Sequence, residues 1–81
     1  MAGWIGVDLD GVLAEYHGAM GGLIGEPIRP MLAKVQDWVA CGREVRIFTA
    51  RASDPTQLPT IRQWLARHGL AGLAITNVKD F

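Results

Sequence analysis

Three short apolar stretches alternate with two helical ones along this 81-residue chain, and that order restricts the fold more than any other feature. "GWIGVDL", "EVRIFTA" and "LAGLAITN" read as strands, rich in branched or apolar residues. "RPMLAKVQDWVACG" and "TIRQWLARHG" lie between them and read as helices. Strands alternating with helices are joined by right-handed crossovers, and the strands then run parallel. The fold class is therefore α/β, with a short parallel sheet of three strands and two main helices. "GWIGVDL" is apolar on both faces, as strands covered on both sides are, so a three-layer sandwich is expected.

The helices carry their own punctuation. Pro30 suits a first turn, and Met31, Leu32, Val35, Trp38 and Val39 recur on one face before Gly42 ends the pattern. Ile61, Trp64 and Leu65 form the inward face of the second helix, with Gly69 as its stop. Its start is open, because Pro59 fits either the first turn or the position before it. "HGAMGGLIGEPI" is a glycine-rich loop, and "RASDPTQLP" is a second loop with two prolines.

Bulk composition excludes several classes. A chain of this length makes one small domain, here residues 1–81. Lys plus Arg equals Asp plus Glu, so no basic footprint for nucleic acid is present. No apolar run approaches the roughly 20 residues of a membrane span. The amino-terminal "MAGWIGVDLD" reaches aspartate too early for a signal peptide, and the one cysteine, Cys41, leaves no internal disulfide. Together these predict a cytoplasmic protein.

In a parallel sheet the carboxyl ends of the strands share one edge, and ligands bind outside it. Asp8, Asp10, Thr49 and Arg51 fall at such ends, and Lys79 follows the third strand. The bland reading of Asp8 and Asp10 is a turn or a helix cap. Their place at the end of an apolar strand and before Gly11 favours chemistry instead. A first carboxylate can attack phosphorus, and a second can protonate the leaving oxygen and then activate water. Two negative charges facing a phosphate call for a hard cation bound by oxygens, Mg²⁺. Gly11 lets the backbone turn tightly around a phosphate with its N–H available as a donor. Thr49 alone reads as an ordinary strand residue. Beside a phosphate, its hydroxyl and the Ala50 N–H can hold a non-bridging oxygen. Lys79 and Arg51, otherwise solvated cations, can neutralise the phosphoryl charge and the aspartate pair there.

"VDLDGVLAEY", "RIFTAR" and "ITNVKD" together resemble the first three motifs of the haloacid-dehalogenase-like hydrolase superfamily. The resemblance runs over nearly the whole chain. It implies a Rossmann-like fold and a Mg²⁺-dependent phosphohydrolase acting on phosphorylated small molecules through an aspartyl-phosphate. By that resemblance Asp8 matches the nucleophile, Asp10 the general acid/base, Thr49 the phosphate-binding hydroxyl and Lys79 the third-motif lysine. The Asp8 carboxylate and the Asp10 backbone carbonyl match the family's metal ligands. Residues 15–28 occupy the place of the family's flap or cap insertion, but are far too short for a cap domain.

The family's fourth motif, an acidic site after a further strand, has no counterpart. Asp80 adjoins Lys79, and Asp54 lies in the loop after Thr49. Weaker Mg²⁺ binding is expected in consequence, as is an exposed apolar edge on the first strand. The chain is predicted to dimerise through that edge, to be a fragment, or to rely on a partner chain. The alternative to an enzyme is a phosphate-binding or regulatory module that has lost turnover. A response-regulator receiver fits less well, because no lone acidic residue ends the second or third strand. A dinucleotide-binding domain lacks its glycine fingerprint. Trp38 and Trp64 read as core, His68 as a helix-end cation, His17 as a surface residue of the loop, and Cys41 as a structural cysteine without catalytic companions.

Overall fold

The computed structural model describes residues 3–16 and 24–77. Lys79, Asp80 and His17 lie outside the described residues. Within them the chain is a small α/β domain. Strand β1 (Ile5–Asp8) is followed by helix α1 (Arg29–Ala40), strand β2 (Val45–Phe48), helix α2 (Leu58–Arg67) and strand β3 (Ala74–Thr76). Two 3₁₀ turns, Ala50–Ser53 and Pro55–Gln57, fill the loop between β2 and α2. The sheet is parallel in the order β1-β2-β3, with Val7 opposite Ile47 and Ile47 opposite Ile75.

Alternation along the strands decides which side chains are buried. Val7, Leu9, Val45 and Ile47 point into one core, together with Leu32 and Val35 of α1 and Ile61, Trp64 and Leu65 of α2. Both helices therefore cover the same face. Two right-handed crossovers that step in one direction across a sheet must do this. The expectation of three layers is corrected accordingly: among the described residues there are two. The opposite face carries Gly6, Asp8, Arg46, Phe48, Ala74 and Thr76, none of them fully buried. There the Trp4 ring covers the Arg46 guanidinium at 4.4 Å. Burial of "GWIGVDL" on both sides does not follow from its apolar character, because Gly6 has no side chain to bury.

Each helix ends at a glycine with positive φ. Gly42 donates to the Val39 carbonyl, and Arg43 to that of Trp38. Gly69 and Leu70 repeat the arrangement on Ala66 and Leu65, and the apolar Leu70 and Leu65 are both buried. Pro59 falls within the first turn of α2, which settles where that helix begins. Trp64 is core, and its indole N–H donates to the Gly25 carbonyl at 3.0 Å. Trp38 is only half-buried, in a groove beside β1 lined also by Trp4, Val12, Met31 and Phe48. Among the described residues no helix is long and apolar enough to cross a membrane.

Candidate functional site

The site is built where β1 and β2 end. Val7 and Leu9 face the core, so Asp8 between them emerges on the other side of the sheet, in register with Phe48. The Leu9 N–H continues the ladder to the Phe48 carbonyl at 3.0 Å. The chain then folds back on itself. Leu13 and Ala14 donate to the Leu9 carbonyl at 3.1 and 2.8 Å, and both side chains are buried. This turn is anchored by apolar residues and holds Asp10 at the sheet's carboxyl edge.

Gly11 makes the turn possible with φ +86°. Its N–H donates to the Ala14 carbonyl at 2.7 Å. The amide expected to face a phosphate is thus engaged within the turn, and the contribution of Gly11 is conformational. Beyond the turn, Glu15 donates to the Glu26 carbonyl and Ile28 to that of Leu13, each at 2.8 Å. The two ends of the loop insertion are therefore paired where it leaves and rejoins the domain.

Thr49 follows β2 and is buried, with its N–H bonded to the Thr76 carbonyl at 2.9 Å. Its hydroxyl oxygen accepts from the Arg51 N–H at 3.1 Å and so caps the first 3₁₀ turn. That oxygen retains its own proton to donate. The cap fixes the backbone from which the Arg51 side chain departs.

Arg51 reaches back across the edge to Asp10. Its Nε donates to Oδ2 at 2.8 Å and its Nη2 to Oδ1 at 3.1 Å. The third nitrogen, Nη1, donates to Gln57 Oε1 at 3.1 Å. Side-chain exposure is 13% for Arg51 and 23% for Asp10, so this pair is poorly screened by solvent. The hydrogen bond to Asp10 strengthens the guanidinium's hold on its proton, against an opposing effect of burial. The sequence offers Arg51 as a cation for the phosphoryl charge and the aspartate pair, and the structure bonds it to one of that pair, Asp10. Sequence reasoning missed Gln57 altogether, a neutral residue in an irregular loop with no pattern to single it out.

Asp8, Leu9, Asp10, Phe48, Thr49 and Ala50 line an open cleft of about 230 Å³. The structure thus brings together Asp8, Asp10, Thr49 and Ala50, with Arg51 adjoining through Asp10. No group of three or more Asp, Glu, His or Cys side chains able to hold a metal occurs among the described residues. The oxygen donors that are present, on Asp8 and Asp10, suit a cation that keeps several of its waters, as Mg²⁺ does. Compared with family models, curated proteins and solved structures, the chain matches none.

Proposed function

We propose that this edge of the sheet hydrolyses phosphate monoesters. The supporting observation is that two carboxylates and a buried hydroxyl from separate strand ends share one cleft. A Asp8 carboxylate oxygen attacks phosphorus as the ester P–O bond breaks, and the departing oxygen takes a proton from Asp10. Water then attacks phosphorus in the aspartyl-phosphate and gives a proton to the Asp10 carboxylate. The bond to Asp8 breaks, so ester and water become alcohol and inorganic phosphate. The Thr49 hydroxyl donates to a non-bridging oxygen, and Ala50 offers its backbone beside it.

Mg²⁺, held by the Asp8 carboxylate and the Asp10 backbone carbonyl, would supply positive charge to offset the repulsion between the carboxylates and the phosphate. Lys79 is assigned the same electrostatic role by its resemblance to the third motif. The natural substrate on this reading is a small phosphorylated molecule.

A second reading keeps the phosphate site without turnover. One observation favours it: among the described residues only two carboxylates, those of Asp8 and Asp10, line the cleft. Hydrolysis of 4-nitrophenyl phosphate with and without Mg²⁺, by the wild type and Asp8→Asn, separates the two. Mg²⁺-dependent release that disappears in the variant supports the hydrolase. Equal background from both folded proteins supports the binding module.

A further inference from the structure

We infer that Arg51 is a positioning residue for Asp10 and not a ligand of the phosphate, an assignment that rests on the hydrolase reading above. Asp10 lines the cleft, whereas Arg51 is not among the residues that do. The guanidinium engages both oxygens of the carboxylate, at 2.8 and 3.1 Å. Two parallel bonds from a planar fork fix the orientation of the carboxylate as well as its distance. A lysine ammonium, which acts as a point charge, would leave that orientation loose.

Arg51 is itself held in place. Gln57 accepts from Nη1, and the Thr49 hydroxyl accepts from the Arg51 backbone N–H. Four residues from three segments thus form a chain of contacts: Thr49 sets the turn, the turn aims Arg51, Gln57 braces it, and Arg51 sets Asp10. Asp10 lies past the end of β1, so the guanidinium fork, and not the strand ladder, orients its carboxylate.

The chemical consequence depends on the leaving group. An alkyl phosphate expels a strongly basic oxygen and needs a well-placed proton donor, whereas an aryl phosphate expels a stable anion and needs it less. Loosening Asp10 should therefore penalise alkyl esters selectively. It should leave the affinity for phosphate itself unchanged.

The test compares wild type, Arg51→Lys and Gln57→Leu on 4-nitrophenyl phosphate and glycerol phosphate, with inorganic phosphate as competitive inhibitor. Arg51→Lys should lower kcat for the alkyl ester by about 10²-fold, and for the aryl ester much less. Gln57→Leu should show the same selectivity to a smaller degree, and it provides the reading if Arg51→Lys does not fold. The inhibition constant for inorganic phosphate should not move in either. Equal losses on both esters would overturn the positioning role in favour of a purely structural one. A weaker phosphate inhibition with an unchanged alkyl-to-aryl ratio would overturn it in favour of direct ligation. If folded wild type hydrolyses neither ester, the hydrolase reading itself fails, and the role of Arg51 with it.

Discussion

The Arg51 guanidinium holds both carboxylate oxygens of Asp10, although 41 positions separate the two residues in the chain. This contact joins the turn after β1 to the turn after β2. Removing the guanidinium leaves a largely buried carboxylate with no fork to accept from. Arg51→Ala should therefore destabilise the domain by about 1–2 kcal/mol, more than an exposed ion pair would. Urea unfolding of the wild type and the variant measures this. A difference indistinguishable from zero would mean that the pair contributes nothing to stability.

Gly11 offers a cleaner backbone test. A Cβ built there meets nothing within 4 Å, so any cost of Gly11→Ala comes from its φ of +86° and not from collision. The expected loss is about 1–2 kcal/mol. Activity should fall further than stability suggests, because the next residue back is Asp10. Thermal unfolding together with 4-nitrophenyl phosphate turnover separates the two effects.

Thr49 caps the first 3₁₀ turn, and the proposed hydrolysis adds a chemical duty. Thr49→Val keeps the shape but removes the oxygen that accepts from the Arg51 N–H. The loss of this cap should cost about 1 kcal/mol. Thr49→Ser restores the oxygen and should recover most of both stability and turnover. If valine is as stable and active as serine, the hydroxyl has neither duty.

The second 3₁₀ turn carries a pH signature. The Asp54 carboxylate accepts from the hydroxyl and the N–H of Thr56, at 2.7 and 3.0 Å. The side-chain bond, with the backbone bond next, holds its pKa below the ordinary value of 3.8. A carboxyl depressed in the folded state stabilises above its unfolded pKa, and that stability fades as the pH falls through the lower folded value. Asp54→Asn should therefore be slightly less stable than the wild type at pH 6, and the gap should close in strong acid. Urea titrations at the two extremes check the sign. A gap that widens in acid would contradict it.

Much of this was legible in the sequence, for identifiable reasons. The alternation of strand and helix was, because apolar periodicity and the glycine stops at Gly42 and Gly69 act locally. The convergence of Asp8, Asp10 and Thr49 followed from parallel topology alone. The number of layers did not follow, because it depends on strand order, which no local pattern encodes. That Arg51 serves the aspartate pair was legible from its place at the edge; that it forks onto both oxygens of Asp10 was not, because a turn conformation aims it. The engaged amide of Gly11 and the bracing by Gln57 depend on turn conformations within irregular loops, where residue type constrains little.

In the proposed hydrolysis Asp8 is the nucleophile toward phosphorus. The most direct measurement is to mix the protein with Mg²⁺ and a large excess of 4-nitrophenyl phosphate, quench rapidly in acid, and map the mass of the peptide containing Asp8. A fraction of that peptide should be heavier by one phosphoryl group, absent from Asp8→Asn and enriched in Asp10→Asn, where hydrolysis of the intermediate is slowed. Turnover by the wild type with no phosphoryl group on Asp8 in either protein, Asp10→Asn included, would contradict this role of Asp8.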